Sequence, residues 1–287
     1  MKYTKIKQNQ RSAEAGFTLI ELSIVLVIIG LIIGGVLVGQ DLIRAAEVRA
    51  TISQIEKYNT AVNTFRGKFN AVPGDMNAST TSTFGFASGG TRGATGQGDG
   101  NGVIDGGSYA SANTSGANWY QSGGETGVFW VDLSSSTAGN LIDGGFSAAV
   151  ETAFVAATLT GTGTGAITAY LPQAKLGRGN FIYVFENGGV NYFGMSAISA
   201  ISSAGVLTAT GTVSVAQAYN IDKKVDDGVP STGNVQEGYV TSTGTTLAND
   251  GQAGASATKC YDSTAVTYNM GTNNGGSAVC ALYFKFQ

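Results

Sequence analysis

A glycine-rich segment of the chain places oxygen-bearing side chains at a spacing that suits a metal ion. The segment reads GDGNGVID, and its candidate ligands are Asp99, Asn101 and Asp105. Calcium is bound by carboxylate and amide oxygens in loops with this spacing and with a glycine at the bend. The pattern is incomplete, because Gln97 and Ser108 stand where a full calcium loop has carboxylates. Two interpretations stay open: a calcium site completed by oxygens from elsewhere, and a ligand-free loop held by Asx turns.

The amino-acid composition and the charge distribution disfavour catalysis and nucleic-acid binding. The chain has no histidine, which removes the usual nucleophile–base and metal–histidine constellations. No two acids are paired at positions that suggest acid–base chemistry. The first sixteen residues have a net charge of +3, and the remaining chain has a net charge of −6 with no basic cluster to bind phosphates. We therefore expect a protein that is not an enzyme and does not bind nucleic acid.

One long apolar run is the strongest feature of the sequence. From Phe17 to Gly39 the only charged residue is Glu21. A helix of this length spans about 35 Å, which is enough to cross the hydrocarbon core of a bilayer. The basic residues before it predict that the N-terminus stays in the cytoplasm and that the chain after Gly39 lies on the far side. A signal peptide would have its small-residue cleavage site after the apolar run, whereas Gly16 precedes it.

Glu21 needs a partner in this apolar setting. A carboxylate within a membrane span costs about 2.5 kcal/mol or more. One interpretation is that an amine of the same chain or of a neighbouring chain is the partner of this carboxylate. The other interpretation is that Glu21 lies at the membrane interface and reaches the lipid headgroups.

The segment from Gly16 to Leu22, GFTLIEL, resembles the cleavage and methylation motif of type IV prepilins and type II secretion pseudopilins. In that family a membrane-embedded aspartyl peptidase cuts after the glycine and methylates the new terminal amine. The resemblance implies that Gly16 ends the leader and that Phe17 is the methylated first residue of the mature chain. It also implies that Glu21 is neutralised during assembly by the amine of a neighbouring chain.

The resemblance implies a structural filament subunit, with three alternatives for the type of filament. The first is a pilin that begins as an inner-membrane precursor and ends in an extracellular pilus. The second is a pseudopilin of a periplasmic type II secretion pseudopilus. The third is an adhesin-like minor tip pilin, which exposed aromatic residues such as Tyr109, Trp119 and Tyr120 would suit, although such residues more often lie in a core. The implied partners are further copies of the chain, other pilins, the prepilin peptidase, the inner-membrane assembly platform and membrane lipid, and no cofactor is implied apart from the calcium considered above.

The elements that must position these residues follow from local patterns. We predict one helix from Phe17 to Arg66, ended by Gly67, whose second half has apolar residues every three or four positions. The resulting division is a cleaved leader at 1–16, an anchor at 17–39, an amphipathic half-helix at 40–66 and an extracytoplasmic β-rich domain at 67–287. Similarity of the Pro-Gly-Asp turn after the helix and of residues 218–230 points to a large pilin-like subgroup.

The domain after the helix is predicted to be loop-rich and antiparallel, which gives an α+β fold of the type IV pilin kind. Short helices are expected at 125–133 and 147–159, and a β-hairpin is expected from 180–186 and 190–197, joined by Asn-Gly-Gly. A helix opens with Ser214 and Gln217 as a capping box. Its acidic end, with Asp222, Asp226 and Asp227, is expected to be a solvated face balanced by Lys223 and Lys224, and the alternative is a bound cation. One final strand is expected at 278–286.

The only two cysteines, Cys260 and Cys280, lie near the end of the sequence. In an exported protein we expect them to form a disulfide that fixes the final strand. The alternative is a pair of buried free thiols.

Overall fold

The computed structural model describes residues 18–86, 98–106, 124–146, 159–160, 167–202, 206–241, 247–254, 256–271 and 273–286. Contacts within the chain divide it into two units, Met1–Arg44 and Ala45–Gln287. Together they contain the layout expected from the sequence, a long N-terminal helix followed by a domain built on an antiparallel sheet.

The long helix, α1, covers 51 residues from Leu19 to Phe69. In the first unit its large apolar side chains point outward on every side, so that each one from Leu19 to Ile43 is exposed. A helix that is apolar all round is not stable in water without a cover. By length and composition this helix could cross a membrane.

In the second unit α1 becomes one-sided. Its buried residues recur every three or four positions, as the sequence predicts, and they are Val48, Thr51, Ile55, Tyr58, Ala61, Val62, Phe65 and Phe69. This stripe packs into the core of the domain, where Tyr58 meets the edge of Trp130 with the ring centres 4.9 Å apart. The amphipathic half of the helix is therefore part of the domain core.

The predicted end of α1 is wrong by one turn. The helix continues past Gly67 and ends at Phe69, where Asn70 takes a left-handed conformation with φ 52°. A glycine inside a helix costs about 1 kcal/mol, but burying a phenylalanine stabilises by about 1.5–3 kcal/mol. Phe69 packs against Phe84 and Phe86, with ring centres 5.1 Å away in both cases. The aromatic contact therefore outweighs the helix-breaking tendency of Gly67.

The described residues contain three shorter α-helices, α2 at Ala78–Phe84, α3 at Gly124–Ser134 and α4 at Val215–Val225. The predicted helix at 125–133 is confirmed as α3. The capping box is also confirmed, since the Ser214 hydroxyl accepts a hydrogen bond from the Gln217 backbone N–H at the start of α4. The helix predicted at 147–159 lies outside the described residues, except for Leu159, which begins a strand.

The described strands are short apart from two. They are β1 (Leu159–Thr160), β2 (Asn180–Asn187), β3 (Val190–Ile201), β4 (Leu207–Thr210), β5 (Val213–Ser214), β6 (Val235–Glu237), β7 (Tyr239–Val240), β8 (Leu247–Ala248), β9 (Gly251–Gln252), β10 (Tyr261–Asp262), β11 (Thr267–Tyr268), β12 (Ala278–Cys280) and β13 (Leu282–Lys285). The main sheet is built around β3, which pairs antiparallel with β2, β13, β4 and β1, and β13 pairs in turn with β6.

The predicted hairpin is confirmed as β2 and β3. The two strands are in register from Asn180 opposite Ala197 to Asn187 opposite Val190. Gly188 and Gly189 form the turn with φ values of 63° and 78°, a conformation that glycine adopts without steric cost.

The single final strand predicted at 278–286 is wrong in one respect. The structure divides it at Ala281 into β12, which pairs with β5, and β13, which lies between β3 and β6 in the main sheet. Ala281 donates its N–H to the Glu237 carboxylate and accepts the N–H of Gly238 at 3.1 Å. These two hydrogen bonds lie where the chain passes from one sheet to the other. One unbroken apolar run of the sequence therefore contributes a strand to each of two sheets.

Candidate functional site

The first described turn of α1 holds Glu21 by a reciprocal set of hydrogen bonds. The backbone N–H and the hydroxyl of Thr18 both donate to Glu21 Oε2 at 2.8 Å, and the Glu21 N–H donates to the Thr18 hydroxyl at 3.3 Å. This is the geometry of a capping box, which satisfies free N–H groups at a helix start. Gly16 and Phe17 lie outside the described residues, and their predicted roles stay predictions.

A second concentration of acids lies in the domain, where two carboxylates bind one loop. Asp75 accepts the N–H groups of Gly100 and Gly102, each at 2.6 Å, with one oxygen for each. Glu125, in the first turn of α3, accepts the N–H groups of Asp99 and Asp105 at 3.1 and 2.8 Å. Four backbone donors of an eight-residue loop are thus bound by two buried side chains from other elements.

The loop also contains the Asx turns that the sequence suggests. Asp99 Oδ1 accepts the Asn101 N–H at 2.9 Å, and Asn101 Oδ1 accepts the Val103 N–H at 2.7 Å. Gly98 crosses the Asp75 backbone so closely that a Cβ there would lie 2.3 Å from the Asp75 carbonyl carbon. Only glycine fits at that crossing, because any larger residue would force the two segments apart.

The structure groups these acids differently from the predicted calcium ligands. Carboxylate oxygens of Asp75, Asp99 and Glu125 lie within 4.8 Å of one another. Asp105 lies at the edge of this group, and its Oδ2 accepts a long hydrogen bond of 3.5 Å from the Asn101 side chain. An oxygen-rich set of this kind suits a hard cation such as calcium. Calcium binding stays a prediction, with Asp75 and Glu125 as the oxygens from elsewhere that the incomplete loop requires.

Burial sets the electrostatics of this acid group. Burial, and then the neighbouring Asp75 carboxylate, raises the pKa of Glu125 well above its ordinary value. Burial likewise raises the pKa of Asp75, against the opposing effect of its two backbone N–H donors. Two acids that share a desolvated site do not both ionise easily. A proton or a cation is therefore needed to balance their charge.

The carboxylates at the acidic end of α4 accept hydrogen bonds from a tyrosine and from backbone N–H groups. Asp222 accepts the Tyr268 hydroxyl at 2.9 Å and the Gly228 N–H at 3.1 Å. Lys223 donates to the Tyr219 hydroxyl at 2.9 Å rather than to an acid. Asp226 and Asp227 bind backbone N–H groups of the following loop. Tyrosine and backbone donors thus bind these carboxylates directly. One oxygen each of Asp222, Asp226 and Asp227 lies within 4.8 Å of the others, and both the balance by lysines and the bound cation stay predictions.

The two cysteines form the expected disulfide. The Cα atoms of Cys260 and Cys280 lie 5.0 Å apart, and both side chains are fully buried. Cys280 is the last residue of β12, and Cys260 directly precedes β10. The bond therefore joins the small sheet of β9, β10 and β11 to the segment that leads into the main sheet.

Sequence reasoning missed Thr18, Asp75 and Glu125. The Thr-Leu-Ile-Glu pattern at 18–21 is that of a capping box. Within the apolar run only the need of the Glu21 carboxylate for a partner was predicted. A loop with three glycines within five residues leaves many N–H groups without local acceptors, which is a reason to look for distant carboxylates. Which acids supply the oxygens depends on tertiary contacts that local patterns do not contain.

The comparisons with known proteins point to the same end of the chain. Residues 11–37 match the family model described as the prokaryotic N-terminal methylation motif. This prepilin-type motif marks the family of type IV pilins and pseudopilins, and the chain carries it at residues 11–37. The match defines no finer subgroup. No curated protein and no solved structure matches the chain.

Proposed function

We propose that the protein is a structural subunit of a type IV pilus-like filament, processed after Gly16 and assembled through the first half of α1. The observation that carries the proposal is the surface of that half-helix. Every large apolar side chain from Leu19 to Ile43 is exposed, and the stretch lies within and directly after the matched motif.

The physical argument is that this surface requires a cover. Each fully buried aliphatic side chain stabilises by about 1.5–3 kcal/mol relative to exposure. Lipid covers the helix in the precursor, which we place in the inner membrane. In the filament the same faces are covered by α1 of neighbouring copies. No catalytic group is needed, because the function consists of exchanging lipid contacts for contacts with other subunits.

The chemistry of Glu21 supports the same proposal. Its Oε2 is occupied by Thr18 within the chain, and a carboxylate oxygen has room for further donors. The methylated amine of Phe17 from a neighbouring copy is the donor that the filament supplies. Such a contact neutralises both charges in an apolar core, where a lone charge is costly.

The test is to express the full chain with a prepilin peptidase and a pilus assembly system. Intact mass and N-terminal sequence are then measured for sheared surface fibres and for the membrane fraction. We expect fibres to contain a chain that begins with methylated Phe17. The Gly16→Val variant, which obstructs the peptidase with a branched side chain, should keep residues 1–16 and stay in the membrane.

Other results distinguish the alternatives. A mature chain confined to the cell envelope would indicate a pseudopilin of a secretion system. Mature chain at fibre tips in trace amounts would indicate a minor tip subunit. A wild-type chain that keeps its first sixteen residues beside an active peptidase would overturn the proposal.

A further inference from the structure

A cavity of about 510 Å³ opens on the surface of the unit Ala45–Gln287. It lies between α1 and the segments 143–146 and 168–175. The large apolar side chains that line it are buried or half-buried, and they are Tyr58, Phe146, Leu171 and Pro172. A pocket of this size, with a mostly apolar lining and a few polar groups, is typical of small-molecule sites.

The cavity is preorganised by the side chain of Gln54. Its amide nitrogen donates to the Gln173 carbonyl and to the Tyr58 hydroxyl, both at 2.9 Å, and its oxygen accepts the Lys175 N–H at 2.8 Å. These bonds join α1 to the segment 173–175, so that a ligand does not have to order the walls. They also use both N–H groups of the amide, which has no donor left for a ligand. A ligand must therefore be recognised by other groups.

The Tyr58 hydroxyl has a proton to offer a ligand. It accepts the Gln54 amide, and no described residue accepts the Tyr58 O–H in a hydrogen bond. The side chain is only 7% exposed, and a buried donor requires an acceptor. Burial raises the pKa of Tyr58, so that the hydroxyl keeps its proton at neutral pH. An acceptor within the cavity would satisfy this donor.

The cavity also has an excess positive charge. Its lining contains two lysines and one aspartate, which gives a net charge of +1. Lys57 and Asp143 form an ion pair with each other. Lys175 is exposed and has no ion-pair partner among the described residues. It lowers the pKa of Asp143 only after the larger effect of Lys57. The Lys175 amine is therefore available to an anion.

We propose that this cavity binds a small organic acid in its anionic form, with an aromatic or aliphatic hydrocarbon body. The body covers the apolar lining, and the carboxylate accepts the Tyr58 O–H and the Lys175 amine. Both residues bond to the same Gln54 amide, which places them on one side of the cavity. Apolar burial supplies affinity, and the charge-assisted hydrogen bonds orient the ligand. The inference does not depend on the filament, because every lining residue lies in the unit Ala45–Gln287.

A pair of matched probes tests the preference for an anion. Binding of 3-phenylpropionate to the full chain in detergent is measured by titration calorimetry, with detergent alone as the blank. The second probe, 3-phenylpropionamide, has the same body without the charge. We expect the anion to bind about fivefold more tightly than the amide, which is the effect of one exposed charge contact.

Variants of the cavity locate the binding site. Ser53→Trp fills the cavity from an exposed position of α1 and should abolish binding. The matched control, Ser231→Trp, changes an exposed serine outside the cavity and should bind as wild type does. Lys175→Gln should remove the preference for the anion over the amide, whereas Lys224→Gln, at an exposed position of α4, should keep it.

Three results would overturn the inference. The first is heat from 3-phenylpropionate that is no larger with the protein than with detergent alone. The second is equal affinity of the Ser53→Trp and Ser231→Trp variants, which would place binding elsewhere on the chain. The third is equal affinity of wild type for the anion and the amide, because the cavity would then not select for charge.

Discussion

Glu21 serves two purposes at the scale of single residues. Its carboxylate closes the capping box with Thr18, and it is the only charge between Phe17 and Gln40. The need for a partner was predictable from the sequence, because a charge in an apolar run is conspicuous. The bond to Thr18 was equally readable, and it shows that the side chain is oriented before any second copy arrives.

The Glu21→Gln variant separates these purposes. Glutamine still accepts from Thr18, so that the helix start is kept, but it does not neutralise an amine. A charge-assisted hydrogen bond contributes about 1.5–3 kcal/mol, and we expect fibre yield to fall by about tenfold or more. The measurement is the ratio of methylated chain in fibres to that in the membrane. Glu56→Gln, at an exposed position of the same helix, is the control, and an equal loss in both variants would contradict the role of Glu21.

Asp132 gives a prediction on pH. Its side chain is fully buried, Oδ2 accepts the Gly74 N–H at 2.8 Å, and Oδ1 has no hydrogen-bond partner among the described residues. Burial raises the pKa of Asp132 to about 7. A folded pKa above the unfolded value means that the folded state binds more protons. The stability that Asp132 contributes is therefore fully present below about pH 4 and is lost as pH rises through about 7.

The Asp132→Asn variant keeps the acceptor for Gly74 and removes the titration. Relative to wild type, its free energy of unfolding should improve by about 3 kcal/mol between pH 5 and pH 8. The check is the melting temperature of the full chain in detergent across that range, with the exposed Asp41→Asn as control. A difference between variant and wild type that does not change with pH would show that Asp132 is ionised in the fold.

At the scale of elements, the loop at 98–105 shows why an incomplete motif was informative. The spacing of Asp99 and Asn101 predicted the Asx turns that the structure contains. The missing oxygens come from the turn after α1 and from the start of α3, both far away in sequence. The end of α1 shows the opposite case, since the local signal of Gly67 is overridden by the packing of Phe69.

The calcium hypothesis predicts a specific shift in stability. An ion among Asp75, Asp99 and Glu125 would stabilise the fold by about 2.7 kcal/mol at a hundred times its dissociation constant. The melting temperature should rise in calcium relative to a chelator, and Asp99→Asn should remove that rise. Asp143→Asn, at an exposed acid outside the group, should keep it. A wild-type melting temperature that is the same in calcium and in chelator would leave the loop as a ligand-free structure.

The disulfide leads to a prediction about the stability of the fold. Cys260 and Cys280 close a loop with a sequence separation of 20. Such a cross-link stabilises by about 3 kcal/mol. We expect Cys260→Ser/Cys280→Ser to lose about that much in urea unfolding, and reduced wild type to match the variant. Equal midpoints for oxidised wild type and the variant would mean that packing alone fixes β12.

For the whole molecule, local sequence patterns predict individual helices and strands but not which distant strands pair. The hairpin of β2 and β3 was predictable because its strands are adjacent and joined by two glycines. The pairing of β3 with β13 joins residues about ninety positions apart, such as Tyr192 and Lys285. Register over such distances is set by packing on both faces of a sheet. The same limit explains why one apolar run was assigned to a single strand.

Buried acids have a consequence for how the folded chain behaves in an electric field. Burial raises the pKa of Asp132 to about 7 and that of Glu237 to about 8. Glu125 shifts in the same direction. Near pH 5 these groups are neutral in the fold but mostly ionised in an unfolded chain. The native protein should therefore focus above the isoelectric point of about 5.0 that its sequence gives, and the same chain focused in urea should move back toward that value.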